Sequence, residues 1–476
     1  MIRARGRVGS SIVLGLVGAA ATLGGWWLYL AAGIVATACA LVTIAQPLYG
    51  ILGFVVLAPE LSPYAQIPLP AGVPDLTFAR AAISLVAGSV LLAVIFGLKR
   101  LAQPVAVEKA MAAFVGLVYL DLYVRSPSFE SDALIVFDEL ATPFLFFYFA
   151  RMLFRTSEDA RKFLGAMLLT GLVLSGHGIY QYAIFGSIGN ANDQGLDERT
   201  DTGHLEKGRA AGPFVNSVEY GGVVSLAFLA GVLLFIHGSS ALQRLALMPV
   251  VGLLAIAATL SLTRSVWLGL LVAILTIAAL DRRWRTAILA TLVAGSLLGA
   301  VAIELLPEDD SRLEDRALST EPMYIRIVMY RAALAMVADR PVFGYGRGES
   351  RFVAGRQQYL TSVGTIPADF GNMAGPPHNV YLYTLLQWGT VGLTLYLTIF
   401  YLLLRSGLTT RREGGGELRA DFAVVFVAAT AMYMVQSMFA DVVAFTFFTN
   451  VFFIGAGVFA GLTSSHEHLV VDVSSA

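Results

Sequence analysis

Charged residues are scarce in this chain. Of 476 residues only 14% are Asp, Glu, Lys or Arg, about half the roughly 25% of an ordinary soluble domain. That deficit excludes a soluble globular enzyme, a disordered chain and a peripheral amphipathic protein. Cysteine is scarcer still: the single Cys39 rules out an intramolecular disulfide and any Cys-based zinc or iron–sulfur site. Lying in an apolar run, it reads as a small buried hydrophobe. Lysine is nearly absent, with 4 Lys against 28 Arg. There is no H-E-x-x-H, no G-x-S-x-G, no P-loop and no Cys/His metal pattern. No internal repeat emerges, which counts against an inverted-repeat transporter.

What the chain has is apolar length. Hydrophobic residues make up 57% and the mean hydropathy is +0.72. Several runs approach or exceed the roughly 20 residues that cross a bilayer. Spans are expected at 8–24, 27–45, a short 48–58, 78–98, 110–124, 134–154, 163–186, 211–236, 245–262, 265–280, 286–306, 379–404, 421–440 and 444–463. The fold class is therefore an all-α integral membrane protein with 12–14 transmembrane helices. A β-barrel is excluded because the runs are continuous and do not alternate. The basic start, Met1 to Arg7, reads as the entry to a first, retained helix.

Arginine placement sets the orientation. Arg3, Arg5 and Arg7, then Lys99 and Arg100, Arg151 to Lys162, Arg282 to Arg285, and Arg405 to Arg419 all thread to one face. That face is expected to be cytoplasmic, with both termini on it. The near-zero net charge of −1 is then two faces cancelling. By this threading the cytoplasmic side has 18 Lys and Arg against 9 Asp and Glu, and the external side 14 against 24. Three parts are expected: N-terminal transmembrane helices over 1–306, including a short external loop at 187–210; a large external loop at 307–378; and C-terminal helices with a tail over 379–476. The large loop carries its own helix, with Thr320 as N-cap, Pro322 in the first turn, Tyr324 to Ala338 as its body and Asp339-Arg340-Pro341 ending it. Arg326 and Arg331 fall off its apolar stripe.

Four stretches on the external side bear chemistry. Ser261-Leu-Thr-Arg264-Ser-Val-Trp267 puts an arginine between two spans. It reads either as a cation snorkelling beside a belt tryptophan or as a ligand for an anion. Lys207-Gly-Arg209 to Asn216 places another cation at the mouth of a span, with Asn216 and Glu219 one to two turns inside. In Arg340 to Glu349, three glycines let the backbone approach a ligand, and Tyr345 and Arg347 lie among them. Pro376-Pro-His378-Asn379 opens a long span. His378 is either a cap or a group of suitable pKa for general acid–base work. Arginines grip phosphate bidentately and do not lose their charge, so three arginines and one histidine suit a phosphate-linked lipid donor and a hydroxyl acceptor. His177 and Gln181 share a helix face and read as cavity-lining or as helix-to-helix hydrogen bonding. Glu308-Asp-Asp310 reads as a solvated face. Asp138, Glu139 and Asp441 are the acids near spans that a transporter could use.

The ordered set His177-Gly-Ile-Tyr-Gln181-Tyr, Arg209-Ala-Ala-Gly-Pro-Phe-Val-Asn216, Ser261-Leu-Thr-Arg264-Ser-Val-Trp267, Arg340-Pro-Val-Phe-Gly-Tyr-Gly-Arg347 and His378-Asn379-Val-Tyr-Leu with Gly389-Thr-Val-Gly392 resembles the O-antigen ligase and polymerase family of bacterial envelope glycosyltransferases. The resemblance covers roughly residues 170 to 400. It implies a GT-C-like helical membrane enzyme of the bacterial inner membrane, active at the periplasmic face in lipopolysaccharide or exopolysaccharide synthesis. The implied donor is an undecaprenyl-diphosphate-linked glycan, and the acceptor a sugar hydroxyl of a lipid-A core or of a growing polysaccharide. Neither metal, cofactor nor nucleic acid is implied. His378 would act as base, Arg264, Arg209 and Arg347 would hold the diphosphate, and Asn379, Asn216, Gln181 and Tyr345 would support the site. A transporter or flippase of lipid-linked oligosaccharide is the alternative.

Overall fold

The computed structural model describes residues 27–62, 75–187, 209–285, 321–347, 359, 377–414 and 417–474. The helices among them are α1 (Trp27–Ala45), α2 (Pro47–Leu61), α3 (Phe78–Ile95), α4 (Ala106–Arg125), α5 (Phe129–Val136), α6 (Thr142–Leu153), α7 (Ser157–Ser187), α8 (Ser217–Ile236), α9 (Ala241–Leu260), α10 (Arg264–Leu280), α11 (Glu321–Asp339), α12 (Val380–Glu413), α13 (Glu417–Ser437) and α14 (Thr446–Ser474). A π-helical turn, Phe137–Ala141, joins α5 to α6. No regular β-sheet occurs among the described residues. Among the described residues, eight helical stretches are long and apolar enough to cross a membrane, among them Phe78–Ile95, Phe129–Leu153, Ser217–Ile236 and Val380–Glu413. Pro47–Leu61 and Arg264–Leu280 are shorter apolar helices. This is a multi-pass helical membrane protein. The spans expected at 8–24 and 286–306, most of the 187–210 loop, Thr320 and the acidic Glu308-Asp-Asp310 lie outside the described residues.

Helices α8, α13 and α14 form the centre, and α3 and α9 show most of their surface. Lipid chains are as apolar as leucine, so helices in a bilayer associate through close packing and not through exclusion of water. Gly457 and Gly461 of α14 make that possible: a Cβ at either would collide with the α6 backbone at Phe147 or with the Phe154 and Arg151 carbonyls. Cys39 departs from expectation and is exposed. It belongs to the outer helix α1, whose Leu41, Val42 and Ile44 are exposed as well.

Polar contacts collect at the two ends of the bundle. At one end Arg151 reaches the Glu108 carboxylate at 2.7 and 2.9 Å, both residues being buried. At that end too, Asp421 at the start of α13 joins His237 after α8 (3.1 Å) and Arg283 after α10 (2.5 Å). At the other end Arg80 pairs bidentately with Asp138 of the π-turn, at 2.9 and 2.7 Å. The threading read from arginine placement assigns these same residues to these same ends.

The loop helix forms as the pattern implies, and α11 lays Met329, Ala333 and Met336 against Leu382 and Leu386 of α12. α12 is not one continuous rod. Gly389 takes φ 62° and ψ −162°, breaking it. The break frees backbone groups that low-dielectric surroundings make costly to leave unpaired, and the segment after α11 meets them. Thr390 N–H donates to the Pro341 carbonyl (2.8 Å) and Val391 N–H to that of Val342 (3.3 Å). In return Tyr345 N–H donates to the Leu386 carbonyl (2.9 Å) and Gly346 N–H to that of Gln387 (2.8 Å). Arg125 closes the joint by donating to the Gly344 carbonyl at 3.0 Å. The glycines of this segment are therefore spent on docking backbone to backbone.

Gly389→Ala places a Cβ 2.2 Å from the Val342 backbone at a positive φ. It should destabilise the fold by about 2 kcal/mol or more. Gly252→Ala, in open space within α9, should be neutral or slightly stabilising, since alanine is the better helix former. The thermal midpoint of the detergent-purified protein separates the two.

Candidate functional site

Residues from five separate stretches meet in a cavity of about 280 Å³. Each is placed by a local device. Gln181, near the end of α7, accepts from the backbone N–H of both Ala211 and Gly212, at 2.9 Å each. Ala210 N–H donates to the Leu260 carbonyl (3.0 Å). These bonds pin the Arg209 segment between α7 and the α9–α10 turn. Arg209 then reaches the Ser217 hydroxyl at 3.5 Å, and Ser217 contacts the Thr263 hydroxyl at 3.2 Å. Asn216 caps α8 by accepting from Val218 N–H at 2.7 Å. The α9–α10 turn is tight because Leu262 sits at φ 45°, a conformation a bulky side chain adopts only under constraint. It delivers Arg264 to the first position of α10.

His378 lines the same cavity and is the other non-glycine residue at positive φ among the described residues, at 48°. Asn379 follows as cap of α12, accepting from Leu382 N–H at 2.9 Å. The left-handed turn at His378 keeps its ring out of the helix and at the cavity. Strain of about 1–3 kcal/mol per such residue is characteristic of functional sites, and here both strained residues line one cavity.

The electrostatics favour an anion. Arg209, Arg264 and Arg326 line the cavity against one acid, Asp441. Residues at or beside the N-termini of α8, α10, α12 and α14 line it; a helix N-terminus carries about half a positive charge, which at α14 is met by Glu219. A cation at the first turn of a helix is disfavoured by that dipole, so Arg264 is poorly placed for stability and well placed to bind an anion. Thr263 supplies no side-chain cap to α10. Glu219, in the first turn of α8, is committed elsewhere: it accepts from Phe447 N–H (2.9 Å) and Phe448 N–H (3.4 Å) at the start of α14. His378 is exposed at the cavity, yet the protein packed around part of the ring makes its charged form costlier and pushes its pKa below the ordinary value. The charge of Arg326 pushes the same way. A neutral imidazole at pH 7 is able to accept a proton.

Arg347 is not in this group. Its guanidinium donates to Glu139 of the π-turn at 2.6 Å, and its N–H reaches Asp121 at 3.3 Å. Arg347 and Glu139 line a second cavity of about 560 Å³, and Asp441 lines both. Tyr345 lies beside it: Arg340 sits over the Tyr345 ring at 4.8 Å and the Tyr345 hydroxyl meets that of Tyr359 at 3.3 Å. His177 pairs with Glu60 of α2 at 3.2 Å, away from both cavities. Sequence reasoning missed Arg326, left off the apolar face of its helix, and Asp441, weighed only as a transporter acid.

Residues 249–397 match the family described as O-Antigen ligase. That stretch contains Arg264, Arg326, Arg347, His378 and Gly389. A Rickettsia conorii protein named "putative polysaccharide ligase" is 28% identical over 118 residues, 24% of this chain and 27% of that protein. The chain thus matches about a quarter of the length of this relative. The resemblance drawn from the motifs is borne out.

Arg326→Gln removes one cause of the lowered His378 pKa and should move it up toward the ordinary value of about 6.5. The check is the pH dependence of diethylpyrocarbonate modification, taken as the difference from His378→Ala in each background. An unchanged midpoint would show that Arg326 does not act on this ring.

Proposed function

We propose that the protein is a membrane glycosyltransferase that moves a glycan from an undecaprenyl-diphosphate-linked donor to an acceptor sugar hydroxyl, at the periplasmic face of a bacterial inner membrane. The observation that carries this reading is the meeting of His378 with three arginines and four helix N-termini around one cavity. The family match supports a ligase acting on polysaccharide; the donor and the residue roles are our reading of the geometry.

The lipid diphosphate lies against Arg264 and Arg209, with Arg326 completing the positive wall. His378 takes the proton of the acceptor hydroxyl as its oxygen forms a bond to the anomeric carbon. The bond from that carbon to the phosphate oxygen breaks, and the electron pair leaves on the lipid diphosphate. Arginines and helix dipoles fixed in advance stabilise the charge that grows there, usually the largest catalytic term. Asn379, Asn216 and Gln181 hold the elements that carry these groups. Arg347, occupied by Glu139, lies to the side, where the acceptor would approach. A lipid-A core sugar and a growing polysaccharide are both suitable acceptors. Two of the three acids a transporter would employ are taken up in pairs, Asp138 with Arg80 and Glu139 with Arg347, and the third, Asp441, faces the arginine-lined cavity, which favours the enzyme.

His378→Ala and Arg264→Ala should each lower transfer at least 100-fold with normal protein levels in the membrane. Proteoliposomes given lipid-linked glycan and acceptor provide the assay, and retained transfer in either variant contradicts the role assigned to it. The acid limb of kcat/KM should fall below pH 6.5, because the free-enzyme base has a lowered pKa. The limb of kcat should lie higher, because a bound diphosphate neutralises Arg326 and favours the imidazolium.

A further inference from the structure

The second cavity has a different chemistry from the first. Where the arginine-lined cavity holds three cations against Asp441, this one holds Asp132, Glu139 and Asp441 against Arg347 alone. Arg347 is already paired with Glu139 at 2.6 Å. Such a lining repels phosphate and acidic groups. At about 560 Å³ the cavity falls within the range of small-molecule sites, roughly 300–1,000 Å³. Its walls combine aromatic surface with acceptors. Trp388 is 95% buried, its ring edge-on to Phe114 at 5.5 Å. Asp132 accepts from Ser126 at 2.5 Å and has acceptor capacity left.

One observation points to a missing ligand. The Trp388 Nε1–H is buried and has no hydrogen-bond partner among the described residues. An unmet buried donor is uncommon and costs free energy unless something else fills the role. Trp388 lies next to the break at Gly389, so the interruption of α12 also places this indole at the cavity.

We propose that this second cavity is a binding subsite for an uncharged sugar, with Trp388 Nε1–H and Asp132 as its hydrogen-bonding groups and the shared residue Asp441 marking where that sugar meets the phosphate cavity. Hydroxyl-rich rings present an apolar face to aromatic side chains and hydroxyls to donors and carboxylates. The lining matches both halves of that surface. The two cavities then sort the reactants by charge, diphosphate to the arginines and sugar to the acids. This inference rests on the transferase reading, and the sugar has two possible sources, the acceptor and the first residues of the donor glycan.

The test is Trp388→Phe, which keeps the ring and removes the N–H, with Asp132→Asn as a second variant at a half-exposed position. Transfer is measured in proteoliposomes with lipid-linked glycan and glycolipid acceptor extracted from producing cells, varying one substrate at a time. Each variant should raise KM for one sugar substrate about three- to tenfold and leave kcat within about twofold. A rise for the acceptor assigns the subsite to it; a rise for the donor assigns it to the donor glycan. Unchanged KM for both substrates in both variants overturns the proposal. Binding of lipid-free glycan released from each substrate, read by microscale thermophoresis, needs no turnover. Loss of that binding in Trp388→Phe, with no transfer by the wild type, would keep the sugar subsite and sink the transferase.

Discussion

A helix that is interrupted inside a membrane protein must have its freed backbone groups met by protein, since lipid offers no partner. The break of α12 at Gly389 is that constraint here. The segment 341–346 meets it with an exchange of four backbone hydrogen bonds, and Arg125 seals the joint. Once the exchange is made, α11 has no freedom to swing away from α12. Arg326 on α11 is then held near His378, which precedes α12, and Arg347 is carried on to Glu139. The positions of two arginines and an indole follow from one glycine.

The same economy governs the first cavity. Every group there is delivered by the end of a helix, and each end is secured by a neighbour: Gln181 holds the Arg209 segment, Asn216 and Asn379 cap α8 and α12, and Glu219 caps α14. Three of these ends are capped by side chains and α10 is not, and together they gather positive ends of helix dipoles on one side. Such a concentration would be unfavourable without an anion, and so would Arg264 at the start of α10. The costs are local, and binding an anion gives them one common use.

Much of this was legible in the sequence. Alternating placement of arginine clusters was enough to bring Arg209, Arg264 and His378 to one face, because topology alone decides that. The loop helix was readable from Pro322 and the apolar stripe ending at Asp339. What the sequence hides are contacts across large separations. Nothing near Arg347 signals Glu139, some 208 residues away. The π-turn that presents Glu139 and Asp138 is a single extra residue within an apolar run. Residues 379–404 read as an unbroken span, since one glycine in a long apolar stretch is usually tolerated, so the interruption at Gly389 was invisible. Arg326 was set aside because a helix face is judged by its apolar stripe, and the cavity is reached from the edge of that stripe.

The central claim is that the arginine-lined cavity binds the diphosphate of a polyprenyl lipid and that His378 acts on a separate step. Native mass spectrometry of the purified protein with undecaprenyl diphosphate carrying no glycan tests binding apart from chemistry. The account predicts that the wild type and His378→Ala retain the lipid while Arg264→Ala combined with Arg209→Ala loses it. Equal retention by the double arginine variant would contradict it.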